Sequence, residues 1–128
     1  MYQIRSDELM FFDGHTAAIP LYEAFAGTLL ERFPETSMRV QKTQITFSNR
    51  HVYACASLAR VKKKAELPDP YLVITLGLPY ALDSGRVAVK TEPYPGRWTT
   101  HIVVGTLAEL DAELWEWVSQ AYEFAQSK

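Results

Sequence analysis

Residues 40–58 of the chain read VQKTQITFSNRHVYACASL. Valine, isoleucine, threonine, phenylalanine and tyrosine dominate this stretch, and these residues favour half-buried strands. Ser48, Asn49 and Arg50 interrupt the pattern, and asparagine tolerates the left-handed backbone conformation that a tight turn needs. The stretch therefore predicts two antiparallel strands joined by a turn.

The alternation of polar and apolar side chains also predicts a register for this hairpin. If Asn49 and Arg50 form a two-residue loop, one face receives polar pairs and the other apolar pairs. The polar pairs are Ser48 with His51, Thr46 with Tyr53, Gln44 with Cys55, and Lys42 with Ser57; the apolar pairs are Phe47 with Val52, Ile45 with Ala54, and Thr43 with Ala56. Because arginine is unfavourable at the second position of such a loop, a wider turn is the alternative.

Length and composition describe one domain over residues 1–128. Hydrophobic residues make up 48% of the chain, and a domain of this size buries about two thirds of its extended-chain surface. The longest apolar runs fall well short of the roughly 20 residues of a membrane-spanning helix, and the N-terminal sequence has no signal-peptide core. The single cysteine, Cys55, cannot form an internal disulfide. We therefore expect a cytoplasmic protein that neither enters a membrane nor is exported.

Charge is distributed unevenly along the chain. The net charge is −2, which argues against a protein that coats DNA. Residues 39–101 carry a net charge of +6, whereas residues 1–38 and 102–128 carry −4 each. The strand-rich middle is thus basic and the flanks are acidic. This difference in charge has two explanations: the middle binds an anion, or the solvent faces of the flanking helices are rich in glutamate.

Helical patterns flank the strand-rich middle. Residues 6–14 predict a short helix with Ser6 as its N-cap, and residues 20–34 predict a longer helix bounded by prolines. A C-terminal helix begins at Thr106, whose spacing to Glu109 is that of a capping box. Its apolar stripe is Leu107, Leu110, Leu114, Trp117, Val118, Ala121 and Ala125.

The remaining segments predict an exposed connection and three further strands. Residues 60–70, RVKKKAELPDP, are charged and end in two prolines, and residues 71–77 are apolar on both faces, as in an interior strand. Residues 87–91 and 100–104 form a second hairpin around the turn EPYPGRW. Its predicted pairs are Val89 with Ile102, Val87 with Val104, Lys90 with His101, and Glu92 with Thr99.

No helical pattern separates the strands, so a parallel sheet is not expected. The predicted fold class is α+β. An antiparallel sheet of about five strands has the N-terminal and C-terminal helices packed on its apolar face.

Five segments carry a resemblance to a known family: FFDGH (11–15), LYEAF (21–25), KTQITF (42–47), EPYPGRWTTHI (92–102) and LDAELWEWVSQAYEFA (110–125). The chain resembles a bacterial domain-of-unknown-function family of small α+β proteins. Members of that family occur alone or attached to larger proteins, some of them endonuclease-like, and some relatives carry the label predicted transport protein. The resemblance spans almost the whole chain and implies the same fold. On the matching positions it picks out Lys42, Gln44, Arg97, Trp98 and His101.

The predicted polar face of the sheet is the candidate site. It mixes histidine, tyrosine, cysteine and glutamine with its charges, whereas a plain solvated face would be richer in lysine and glutamate. Glu92 is the only carboxylate on it, and Trp98 could stack on a flat ligand. We therefore predict a non-catalytic binding module for an anionic or nucleotide-like ligand. Its binding residues are Lys42, Gln44, Arg50, Lys90, Glu92, Arg97, Trp98 and His101.

Other interpretations stay open. A solvated face without a ligand is the simplest, and a small enzyme could use His101 with Lys90 or Glu92 as acid–base groups. A homodimer through the open face is a third, and the cations of residues 60–64 could contact nucleic acid. The histidines lack short-spaced partners and the carboxylates are not clustered, so no metal and no cofactor are predicted. Cys55 is too far from His51 along the strand, about 13 Å, for a nucleophile–base pair.

Overall fold

A computed structural model describes residues 2–128. Its sheet is antiparallel, with six strands in the order β1-β2-β3-β4-β6-β5. The strands are β1 (Ser37–Val40), β2 (Ile45–Asn49), β3 (His51–Ser57), β4 (Leu72–Leu78), β5 (Val87–Tyr94) and β6 (Arg97–Val104). The helices are α1 (Ser6–Phe11), α2 (Ile19–Arg32) and α3 (Ala112–Ser127), with short 3-10 turns at Thr16–Ala18, Lys64–Glu66 and Leu107–Glu109. The predicted α+β class is confirmed, and β1 is a strand that the sequence did not predict.

The sheet has one face under the helices, here called the helix face, and an opposite open face. Phe25 of α2 packs edge-on against Phe47 of β2, with ring centroids 5.9 Å apart, and stacks on Trp115 of α3 at 5.3 Å. Both long helices therefore lie on the same side of the sheet. Strand β4 alternates accordingly: Leu72, Ile74, Leu76 and Leu78 are fully buried on the helix face, and Val73, Thr75 and Gly77 belong to the open face.

The first hairpin keeps four apolar residues on their predicted face but has a different register. Ile45 lies opposite Ala56 and Phe47 opposite Ala54, two residues away from the predicted pairing. A shift of two residues leaves each side chain on its face, because the side-chain period of a strand is two. All four residues are buried. The predicted pairing is wrong, whereas the predicted sorting of these four residues onto one apolar face is confirmed.

The turn and a β-bulge cause this shift. Arg50, rather than Asn49, adopts the left-handed conformation, with φ 65°. The Asn49 amide donates instead to the Tyr122 hydroxyl of α3 at 2.8 Å. Tyr53 is the extra residue of a bulge next to Phe47 and Ser48. The bulge buries Tyr53 at 1% exposure and leaves Val52 47% exposed, which reverses the predicted faces of these two residues.

The unpredicted strand β1 removes three residues from the predicted hairpin, and one of them is Thr43, whose predicted partner Ala56 pairs with Ile45 instead. Residues 41–44 form the turn between β1 and β2, where the Gln41 N–H donates to the Gln44 carbonyl at 2.9 Å. Lys42 and Gln44 are therefore turn residues, and Thr46 takes the place opposite Cys55. The predicted pairs of Lys42 and Gln44 across the hairpin are wrong.

The second hairpin differs from its predicted register by one residue over most of its length. Its turn is Pro95–Gly96, where Gly96 has φ 73°. An irregularity between Thr91 and Tyr94 adds one residue to β5, at a point that contains Pro93, which has no N–H for the ladder. A shift of one residue exchanges the two faces of a strand.

As a result, Val89 lies opposite His101, and Lys90 lies opposite the fully buried Thr100 on the helix face. The predicted pairing of Lys90 with His101 is therefore wrong.

The predicted helix starts differ from the observed ones by one residue for α1 and α2 and by six residues for α3. Arg5 is the N-cap of α1, because its N–H donates to the Glu8 carboxylate at 2.7 Å. The capping box of Thr106 and Glu109 opens a 3-10 turn, and α3 begins after Asp111, which accepts from the Leu114 N–H at 3.0 Å. Leu107 is consequently 57% exposed rather than part of the stripe; the buried members are Leu114, Trp117, Val118, Ala121 and Ala125.

Candidate ligand-binding site

A row of polar side chains crosses the centre of the open face. Cys55 of β3 lies opposite Thr75 of β4, and Thr75 lies opposite His101 of β6. The Thr75 hydroxyl and His101 Nδ1 are hydrogen-bonded at 2.8 Å. Because adjacent strands are about 4.8 Å apart, this row is a continuous polar strip across three strands.

A groove of about 340 Å³ lies along this strip. Its polar side chains are Gln44, Cys55, Thr75, Thr99, His101 and Lys128. Gly77 contributes to the floor, and a Cβ built there would meet no atom within 4 Å. None of the described residues that line the groove is acidic. The groove therefore presents hydrogen-bonding groups and the Lys128 ammonium, and none of its described lining residues is an aspartate or a glutamate.

His101 is half-buried, and this burial lowers the pKa of its imidazole from the usual 6.5. The ring is therefore neutral at pH 7. When Thr75 donates its hydroxyl proton to Nδ1, the remaining proton of the ring sits on Nε2. In this tautomer His101 is a neutral hydrogen-bond donor, which suits an oxygen acceptor on a ligand.

The lowered pKa of His101 predicts a pH dependence of stability. The unfolded chain binds a proton on this residue at about pH 6.5, whereas the folded protein binds it only at lower pH. The free energy of unfolding should therefore fall as the pH drops from about 6.5 through the folded pKa. A His101→Gln variant should lack this component, and denaturant unfolding at pH 7 and pH 5 measures it.

The control for this comparison is His51→Gln, because His51 is exposed at the hairpin end. That variant should keep the acid-side loss of the wild type. If His101→Gln and the wild type lose the same stability between pH 7 and pH 5, His101 is not held neutral by its site.

Cys55 is not placed for nucleophilic catalysis. Burial raises the pKa of its thiol to about 11, so the thiol is protonated at pH 7. Thr75 lies between Cys55 and His101, which separates them by two strand spacings, about 10 Å. A direct transfer of the thiol proton to His101 is therefore excluded in this arrangement.

Two cations lie at the end of the groove. Arg97 begins β6 on the same face as Thr99 and His101, and it is exposed. The Lys128 ammonium lies 4.9 Å from the ring centroid of Phe124. Burial, and next the nearby charge of Arg97, lower the pKa of Lys128. Within residues 2–128 neither cation forms a salt bridge, and Lys128 lines the groove.

The predicted site residues are only partly brought together. Gln44 and His101 line the groove, and Arg97 lies beside its Lys128 end. Lys42 and Arg50 occupy exposed turns before and after β2. Gly77, Thr75, Thr99 and Lys128 were not among the predicted site residues. The interruption of an apolar strand by Thr75 and Gly77 was a usable signal, whereas nothing in the sequence connected Lys128 to the sheet.

The other three predicted site residues point elsewhere. The Lys90 ammonium donates to the Leu82 carbonyl at 3.0 Å, on the helix side of the sheet. The Glu92 carboxylate accepts from the Gly96 N–H at 3.0 Å within the hairpin. Trp98 lies opposite Leu78, on the helix face. The acid–base set of His101 with Lys90 or Glu92 is therefore not assembled.

Fold and groove together define a class: a small α+β protein whose antiparallel sheet is covered by helices on one face and bears a polar groove on the other. The chain belongs to the family described as Domain of unknown function (DUF5655), whose sequence profile matches residues 10–125. The match runs from α1 to the end of α3 and confirms the resemblance to a domain-of-unknown-function family. No curated protein and no solved structure matches the chain.

Two further observations concern the described part of the chain. Over residues 2–128, no helix has both the length and the apolar character that crossing a membrane requires. Within the same residues, no group of three or more histidine, cysteine, aspartate or glutamate side chains is close enough together to hold a metal ion.

Proposed function

We propose that the protein is a non-catalytic binding module that takes a small anionic ligand, of the phosphate or nucleotide class, in the open-face groove. The observation that carries the proposal is the composition of the groove. It combines hydroxyl, imidazole and amide groups with the Lys128 ammonium, and none of its described lining residues is acidic.

The charges favour an anion over a neutral ligand. Arg97 and Lys128 lie close enough for the Arg97 charge to lower the pKa of Lys128, and an anion between them would relieve this repulsion. Hydrogen bonds from ionised donors to phosphate oxygens are also stronger than neutral ones. The ligand's charge is therefore expected at the Arg97 end of the groove.

The size and the walls of the groove indicate what the uncharged part of the ligand is. A volume of about 340 Å³ falls at the lower end of small-molecule pockets, which range from about 300 to 1,000 Å³. Val52, which is 47% exposed, offers an apolar wall. Thr75, Thr99 and His101 offer polar contacts along the floor. A phosphate with a small polar or planar body fits this arrangement.

The test is a calorimetric and thermal-shift screen of inorganic phosphate and nucleoside monophosphates at low and high salt. Binding should weaken with salt. Arg97→Ala should weaken the affinity about tenfold, as the loss of one charge-assisted contact does. Gly77→Val should weaken binding without a loss of stability, because the added side chain meets no neighbouring atom and projects into the space of the groove.

The matched control is Lys90→Ala, since Lys90 belongs to the same hairpin but lies on the helix face. It removes the same charge and should leave the affinity unchanged. If Arg97→Ala and Lys90→Ala weaken the affinity equally, the effect of charge is diffuse. If no compound in the screen binds, the open face is a solvated face without a ligand. Either result contradicts the proposal.

A further inference from the structure

A second cleft lies between the turn before α2 and the connection from β3 to β4. Two adjoining cavities of about 360 Å³ and 210 Å³ share His15, Asp69 and Tyr71 among their lining residues and together make up this cleft. The described residues that line this cleft include none of those that line the open-face groove. Whatever binds here is therefore recognised separately.

One wall of the cleft is apolar and held in place. Leu67, Pro68 and Tyr71 line the larger cavity. The Tyr71 hydroxyl donates to the Leu58 carbonyl at 2.7 Å, which fixes the orientation of its ring. Pro68 packs so tightly on Gly105 that a Cβ there would lie 2.6 Å from the Pro68 Cγ. This wall is a preformed surface rather than a loose loop.

The cleft also carries positive charge from two cations. Arg60 and Lys64 line the larger cavity, and Asp69 is the one carboxylate among the described lining residues of either cavity. Within residues 2–128 neither Arg60 nor Lys64 forms a salt bridge. An arginine without a partner beside an apolar wall suits a carboxylate or phosphate attached to an apolar body.

We propose that this cleft is a second ligand site, which takes a small amphipathic anion. The aromatic or aliphatic body of the ligand rests on Tyr71, Pro68 and Leu67, and its carboxylate or phosphate contacts Arg60 and Lys64. The larger cavity alone, at about 360 Å³, has the size of a small-molecule pocket, for which the range is about 300 to 1,000 Å³. The ligand differs in class from that of the open-face groove, because the apolar body supplies part of the recognition.

The experiment compares anions that share a charged group but differ in the apolar body. Phenyl phosphate is paired with inorganic phosphate, and benzoate with acetate. Binding is followed by amide chemical shifts in the Gly77→Val variant, in which the added side chain projects into the open-face groove. Phenyl phosphate or benzoate should give saturable shifts at His15, Leu67 and Tyr71. Its affinity should be at least tenfold higher than that of its partner without the apolar body.

Two double variants provide the matched control. Arg60→Ala with Lys64→Ala should weaken the binding of the amphipathic probe at least tenfold. Lys62→Ala with Lys63→Ala removes two charges from the same exposed segment, yet these two residues line neither cavity of the cleft, so it should leave the affinity unchanged.

Three results would overturn the inference. Equal affinity for inorganic phosphate and phenyl phosphate would reduce the cleft to a simple anion site. Equal weakening of the affinity by the two double variants would show a diffuse electrostatic field. An absence of shifts at His15, Leu67 and Tyr71 would show that neither probe enters the cleft. Because His15, Leu67 and Tyr71 do not line the open-face groove, none of these results bears on the open-face proposal.

Discussion

Replacing Trp117 by alanine is expected to lower the free energy of unfolding by about 3–5 kcal/mol, the usual range for a large aromatic residue of a protein core. The Trp117 side chain is 8% exposed and belongs to the continuous core between α3 and the sheet. Its removal leaves a cavity that the surrounding strands cannot fill without moving.

The ring also supports a clamp at the start of α3. The Arg86 guanidinium lies 5.6 Å from the centroid of Trp117 and donates to Asp111 at 2.9 Å and to Glu113 at 3.1 Å. Without the ring, Arg86 loses a surface on which its side chain is held. The indole therefore stabilises both the core and the contact between the β4–β5 loop and the start of α3.

Chemical denaturation of Trp117→Ala measures this effect, and Glu123→Ala is the control on the exposed side of the same helix. The control should change the free energy of unfolding by no more than about 0.5 kcal/mol. A Trp117→Ala variant as stable as the control would show that the α3 stripe is not part of the core.

A second large effect is expected from Glu8→Ala. Glu8 is fully buried, and its carboxylate accepts hydrogen bonds from the hydroxyls of Tyr2 and Tyr22 and from the Arg5 N–H at 2.7 Å. The Met38 sulfur of β1 lies 3.3 Å from the Tyr22 hydroxyl. This one carboxylate thus joins the N-terminal segment, α1, α2 and the edge of the sheet.

Burial, and next the hydrogen bond to Glu8, raise the pKa of both tyrosines, which keeps them protonated as donors. Alanine at position 8 leaves two partly or fully buried hydroxyls without their acceptor. Each such group costs about 1–3 kcal/mol, so we expect a loss of roughly 3 kcal/mol or more in the free energy of unfolding.

The matched control is Glu31→Ala, which removes an exposed carboxylate from α2. Tyr22→Phe separates the contributions, because in that background Glu8→Ala should cost less than it does in the wild type. Additive losses in the double variant would show that Glu8 and Tyr22 do not stabilise each other.

The sequence predicts those parts of the fold that depend on a regular period. Alternation sorted Ile45, Phe47, Ala54 and Ala56 correctly onto the helix face even though their pairing differs, because a shift of two residues preserves the faces. The α3 stripe from Leu114 to Ala125 followed in the same way from helical spacing.

Single-residue irregularities lie beyond such a pattern. The bulge at Tyr53 and the extra residue near Pro93 each change the alternation by one, which moves Tyr53 and Lys90 to the helix face. Whether a strand bulges depends on its partners and on the core beneath it. Local composition alone therefore assigned Lys90 to the wrong face.

Some residues of the candidate site were predicted from the sequence and others were not. Gln44 and His101 were predicted from the sequence and line the groove. Gly77 and Lys128 belong to it because β4 lies between β3 and β6 and because α3 ends beside the sheet, and neither relation follows from the order of residues. Long-range placement of this kind is a property of the folded chain.

Binding of a small anion in the open-face groove is measured by amide chemical shifts during a titration with inorganic phosphate. At constant ionic strength, saturable shifts are expected at Thr75, Gly77, Thr99 and His101, which line the groove, with none from equivalent chloride. The same titration of Arg97→Ala should need about tenfold more phosphate. If phosphate shifts none of these four amides, or if chloride reproduces the shifts, the proposal that the groove binds a small anion is contradicted.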